Sequence, residues 1–80
     1  MTRIAVSLPV LGYDQPMGRI ADWLKVVGDR VERGDAIAEI ETEKVRVEME
    51  AMAAGTLVEI VAAPGTEVAT GETIAWLDGA

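Results

Sequence analysis

Apolar and polar positions alternate along this chain in short runs, cut every few residues by glycine at Gly12, Gly18, Gly28, Gly34, Gly55, Gly65 and Gly71, and no run sustains a 3.6-residue period. This punctuation predicts an all-β fold. Strands are expected roughly over residues 3 to 8, 18 to 25, 36 to 41, 45 to 50, 55 to 62 and 73 to 77, with two very short ones around Val31 and Val68.

The same pattern occurs twice. Moving residues 18–41 forward by 37 lays them on residues 55–78 without a gap. Gly18/Gly55, Gly28/Gly65, Val31/Val68, Gly34/Gly71, Ile37/Ile74 and Ala38/Ala75 are identical, and Ile20/Leu57, Ala21/Val58, Trp23/Ile60 and Ile40/Leu77 keep their apolar character. Turn chemistry and core positions are thus repeated together. Two halves that each leave an apolar face uncovered should pair about a pseudo-two-fold axis. The expected product is a flattened β-barrel or sandwich of two four-stranded antiparallel sheets. The link between the halves, around residues 42–45, has its repeat mate near position 7 or just past the C-terminus, which places the link and the chain ends at opposite poles.

Composition narrows the choices. Eighty residues, half of them apolar, make one domain, expected over residues 1–78 with residues 79–80 opening a linker or tail. A net charge of -7 and the lack of a Lys/Arg stripe argue against nucleic acid and anionic membrane as partners. With no apolar leader or Arg/Ser-rich presequence before the first strand, a cytoplasmic location is expected, in a bacterium rather than a mitochondrial matrix. The chain has neither histidine nor cysteine, so zinc and thiol chemistry lack ligands and a nucleophile. No Asp-rich calcium loop, GxxxxGK[ST] phosphate loop or base paired with a nucleophile occurs, so the domain is not expected to be an enzyme by itself.

One segment stands out. Glu41-Thr42-Glu43-Lys44-Val45 lies between a strand ending in Ala38 and Ile40 and a strand expected to turn Val45, Val47 and Met49 inward and Arg46, Glu48 and Glu50 outward. The four residues before Val45 then form a tight turn, of type I because Gly and Asn are missing, with Lys44 at an exposed tip. Most exposed lysines are only solubilising charges. Trp23 and Trp76 read as packing residues, and Met49 and Met52 as gap-fillers near the hairpin strand.

With these residues in place, the sequence resembles the lipoyl domains of 2-oxo acid dehydrogenase acyltransferases, which belong to the biotinyl/lipoyl attachment family. In those domains a lysine in a Glu-Thr-Asp-Lys-Ala tip, or a close variant, carries the cofactor. The resemblance runs through Leu8-Pro9, Leu11-Gly12, Gly18-Arg19-Ile20, Trp23-Leu24, Gly28-Asp29, Val31 and Gly34-Asp35. Gly28 and Gly55, sixteen residues before and eleven after Lys44, match two family glycines, and by this resemblance they are expected among the positions that a ligase or partner recognises.

The resemblance implies lipoate joined by an amide to Lys44, with Glu41 and Glu43 as recognition elements for a lipoate-protein ligase or octanoyltransferase and for partner enzymes. It further implies acyl and electron shuttling among a thiamine diphosphate-dependent 2-oxo acid decarboxylase, an acyltransferase core and dihydrolipoyl dehydrogenase. The lysine must then be exposed and reachable, while the cofactor does the chemistry. Val45 leans toward the 2-oxoglutarate-type relatives. By the same resemblance the chain is expected to be the N-terminal domain of a longer acyltransferase, because tethering supplies the effective concentration a carrier needs.

The chain departs from the family over residues 12–18, where relatives have a polar, often acidic stretch and this one has Gly-Tyr-Asp-Gln-Pro-Met-Gly. In the family this loop neighbours the lysine hairpin, so Tyr13 and Met17 are expected to be apolar contacts for a specific decarboxylase. Two other readings share the fold. A biotinyl carrier usually sets its lysine between two methionines, whereas Lys44 has Glu43 and Val45, and an unmodified structural or adaptor domain needs no lysine at the tip.

Overall fold

The computed structural model describes residues 2–9 and 17–79. It contains eight strands: β1 (Arg3–Ser7), β2 (Met17–Trp23), β3 (Arg30–Val31), β4 (Ala36–Glu41), β5 (Arg46–Glu50), β6 (Gly55–Ile60), β7 (Glu67–Ala69) and β8 (Thr73–Asp78). One sheet has the order β1-β8-β6-β3 and the other β5-β4-β2-β7, with every neighbouring pair antiparallel. The expected pair of four-stranded sheets is therefore present.

The repeat is the symmetry of the fold. The 37-residue shift carries β2, β3 and β4 onto β6, β7 and β8, and β5 stands beside β4 as β1 stands beside β8. Arg46 faces Glu41 as Arg3 faces Asp78, and Val47 faces Ile40 as Ile4 faces Leu77. Hydrogen bonds repeat as well: Gly28 N–H donates to the Leu57 carbonyl and Gly65 N–H to the Ile20 carbonyl, both at 2.7 Å. The four glycines identical between the halves beyond Gly18/Gly55 are the four with positive φ, Gly28 and Gly65 at 104° and 91° and Gly34 and Gly71 at 92° and 88°. A Cβ in that region is strained, so turn geometry explains their recurrence.

The core is built from repeat pairs too. Ile20 and Leu57, Val31 and Val68, Ile37 and Ile74, and Ile40 and Leu77 are all essentially inaccessible, each contributing about 1.5–3 kcal/mol on burial. Trp23 is half-buried, and its indole Nε1–H donates to the Ala62 carbonyl at 2.8 Å. Trp76 lies partly exposed beneath the Arg3 guanidinium, 5.8 Å from its ring centre.

Two expectations about packing are corrected. Met49 is buried, but Val45 and Val47 are 51% and 39% exposed. Alternation does aim Val47 at the inner face, opposite Ile40, yet the β4–β5 hairpin runs past the end of the core and β5 is an edge strand. Met52, expected to fill a gap, is 81% exposed on the connection from β5 to β6.

Chain direction places the hairpin. β5 leads away from it to Ala51, and residues 51–54 then cross to β6, whose first residues lie beside Asp78, itself paired with Arg3. The hairpin tip and residues 2 and 79 thus occupy opposite ends of a body measuring 36 × 20 × 19 Å.

Candidate functional site

At the hairpin end, β4 and β5 are joined by residues 42–45, whose two central residues, Glu43 and Lys44, are both exposed. The turn spans Thr42 to Val45, one residue later than the sequence suggests. Thr42 N–H donates to the Val45 carbonyl at 2.8 Å, above the Glu41–Arg46 pair. Neither loop residue has positive φ, which rules out the primed turns, as the missing Gly and Asn implied.

Thr42 closes the turn with its side chain. The hydroxyl accepts from the N–H of Val45 at 3.1 Å and of Lys44 at 3.3 Å, and donates to the Val45 carbonyl at 3.2 Å. Val45 N–H, which an ordinary turn directs at the carbonyl of its first residue, is here directed at the hydroxyl of that residue.

Below the tip, one row of side chains crosses all four strands of the sheet. Arg46 on β5 faces Glu41 on β4, Glu41 faces Arg19 on β2, and Arg19 faces Glu67 on β7, so charge alternates along the row. Glu41 is held from both sides, by Arg46 Nη2 at 3.2 Å and Arg19 Nη1 at 3.8 Å, and Arg46 Nη1 also reaches Glu39 at 3.9 Å. These pairs are well solvated, and each stabilises by roughly 0.2–1 kcal/mol. Their larger effect is to fix the direction of the Glu41 carboxylate.

Between this row, the tip and the start of β2 lies an open cleft of about 470 Å³, lined by Met17, Gly18, Arg19, Glu41, Thr42, Glu43 and Glu67. The structure therefore gathers Glu41, Glu43 and Met17, the last 42% exposed, on one cleft at the hairpin end, with Lys44 following Glu43 on the tip. Tyr13 lies outside the described residues.

Gly28 and Gly55 are not gathered there. Gly28 sits beside Leu57 in a turn that needs its positive φ. Gly55 packs so tightly on β8 that a Cβ would come within 2.7 Å of the Asp78 carbonyl oxygen. Both have backbone work at the far end of the molecule. Thr42, Arg19, Arg46 and Glu67 escaped the sequence reading. Thr42 carried a signal, a hydroxyl residue at the first position of a turn, whereas the row of charges depends on β2 lying beside β7, which no local pattern reports.

Among the described residues no group of three or more His, Cys, Asp or Glu side chains is placed to hold a metal ion. What the site offers is a primary amine on a short tip, flanked by carboxylates, at one pole. Such an arrangement suits a group attached covalently and reaching outward from the domain.

Known proteins resemble this chain over nearly its whole length. The biotin/lipoyl family model, described as biotin-requiring enzyme, matches residues 4–77. The chain is 47% identical over 70 residues to the dihydrolipoyllysine-residue succinyltransferase component of the 2-oxoglutarate dehydrogenase complex of Staphylococcus saprophyticus, covering 88% of this chain and 16% of that protein. It is 40% identical over 77 residues to the dihydrolipoyllysine-residue acetyltransferase component of the acetoin cleaving system of Bacillus subtilis, covering 96% of this chain and 19% of that one. The chain thus spans less than a fifth of the length of these relatives. The solution structure of the lipoyl domain of the 2-oxoglutarate dehydrogenase complex from Azotobacter vinelandii superposes with a TM-score of 0.74 at 36% identity, covering 94% of this chain and 95% of that one.

Proposed function

Because the chain belongs to the family of biotin- and lipoyl-attachment domains, as a lipoyl domain, we propose that it is a carrier whose Lys44 Nζ holds lipoate in amide linkage. The observation that carries this reading is the position of Lys44 on a two-residue tip at the pole opposite residues 2 and 79. In the attachment step the amine attacks the carbonyl carbon of an activated lipoyl donor, such as the adenylate formed from ATP. The amide bond forms as AMP leaves with the electrons of the broken C–O bond, and the nitrogen gives up a proton.

Once bound, lipoate supplies a dithiolane that accepts an acyl group together with two reducing equivalents. The protein's part is to mount the arm and to be recognised. Glu41, fixed by Arg19 and Arg46, and exposed Glu43 present acidic groups to a ligase and to partner enzymes. The partners that fit are a thiamine diphosphate-dependent 2-oxo acid decarboxylase, an acyltransferase core and dihydrolipoyl dehydrogenase. The domain then works as part of a longer acyltransferase, a reading supported by its matching under a fifth of each relative.

The test uses the two lysines, Lys25 and Lys44. The domain is incubated with a lipoate-protein ligase, lipoate and ATP, and its intact mass is read, with Lys44→Ala and a biotin ligase reaction in parallel. One lipoyl group gained, and lost in Lys44→Ala, is expected. Gain of biotin alone moves the domain to a carboxylase, and no gain from either leaves an unmodified structural module.

A further inference from the structure

The structure assigns to Thr42 the role of positioning residue for modification of Lys44, an assignment that rests on the carrier reading. A two-residue hairpin normally uses a primed turn, whose twist matches that of its strands, whereas an unprimed turn splays them. Glu43 and Lys44 both have negative φ, so this tip is of the splaying kind. Core packing does not hold it shut, because Val45 and Val47 beneath are exposed.

The Thr42 hydroxyl supplies the closure. A hydroxyl has one donor and two acceptor positions, and all three are used here: the proton goes to the Val45 carbonyl, and the lone pairs take the N–H groups of Val45 and Lys44. The side chain thereby ties down the amides of the lysine itself and of the residue after it. An aspartate could accept from these amides but would face the Val45 carbonyl with a second acceptor and no proton. The demand is for a side chain that accepts and donates at once, which the hydroxyl does from a single atom.

A modifying enzyme that binds the closed tip meets a population. If the tip is closed only part of the time, apparent affinity falls by that fraction, while the bound complex, and hence turnover at saturation, is unchanged. The experiment compares the domain with Thr42→Val, which keeps the shape and removes the hydroxyl, and with Thr42→Ser, which keeps the hydroxyl. Steady-state lipoylation by a lipoate-protein ligase is measured, together with amide hydrogen exchange of Lys44 and Val45 in the unmodified domain and the thermal midpoint.

For Thr42→Val, KM should rise roughly tenfold with kcat within about twofold of the parent. Exchange at Val45 should accelerate, and the thermal midpoint should shift by no more than about 3 °C because the tip lies outside the core. Thr42→Ser should restore KM and exchange. An unchanged KM in Thr42→Val, or a Ser variant as impaired as the Val variant, overturns the assignment. A parent domain that accepts no lipoyl group sinks the carrier reading instead. In that event equal Val45 exchange in parent and Thr42→Val overturns the closure role as well, and faster exchange in Thr42→Val retains it as the device that orders Lys44.

Discussion

Gly79 N–H donates to the Thr2 carbonyl at 2.7 Å, and this bond is the symmetry mate of the one from Thr42 N–H to the Val45 carbonyl at 2.8 Å. Residues 2 and 79 therefore meet where the other half has its hairpin. A peptide bond from Ala80 to Met1 would close a loop of two residues, the length of Glu43–Lys44. Head-to-tail cyclisation should thus cost little strain and remove freedom from the unfolded chain, stabilising by about 4.5 kcal/mol in the chain-entropy model. Thermal unfolding of cyclic and linear forms side by side checks this, and a cyclic form no more stable than the linear one would show that the ends do not align as a hairpin.

Gly55→Ala places a methyl group against the Asp78 carbonyl, within 2.7 Å. Backbone must shift, so a loss of about 1–3 kcal/mol is expected. Gly28→Ala meets no atom within 4 Å but retains a φ of 104°, and should cost about 1–2 kcal/mol through strain alone. Chemical denaturation measures both. If either variant, while folded, is modified at Lys44 far more slowly than the parent, that glycine acts in recognition in addition to its backbone role.

The exposed valines should be nearly indifferent to polarity. Val45→Thr should change stability by no more than about 0.5 kcal/mol, while Ile40→Ala, a truncation at a fully buried neighbour, should cost about 2–5 kcal/mol. A large loss from Val45→Thr in urea titration would mean that this side chain is covered in solution.

Glu41 separates stability from recognition. Removing its charge with Glu41→Gln breaks two solvated ion pairs and should lower stability by less than about 1 kcal/mol, an effect fading as salt is raised. If Glu41 is a recognition element, the same variant should be lipoylated several-fold more slowly. Arg46→Gln, which leaves the carboxylate in place but loosens it, should fall between. Equal rates for all three proteins would leave the row of charges a purely structural feature.

Much of this molecule was legible because its halves repeat. Gly28/Gly65 and Gly34/Gly71 recur since a positive φ recurs, and Ile20/Leu57 and Ile40/Leu77 since the same inward positions are buried twice. Periodicity says which way Val47 points, but not whether the opposite sheet extends far enough to cover it, so the overhang at Val45 and Val47 was missed. The charged row through Arg46, Glu41, Arg19 and Glu67 needs the cross-strand register of β2 with β7, strands far apart in sequence. Lys44 was singled out by its neighbours in sequence, and its Thr42 brace only by the folded turn.

The overhang also bears on how such a domain can change over time. Because Glu43, Lys44, Val45 and Val47 are exposed beyond the buried strands, substitutions there scarcely alter the balance between folded and unfolded chain. The tip can drift toward a new partner while the rest of the fold stays under strict selection, and mutations that would be lost elsewhere for stability can persist there long enough to be tried.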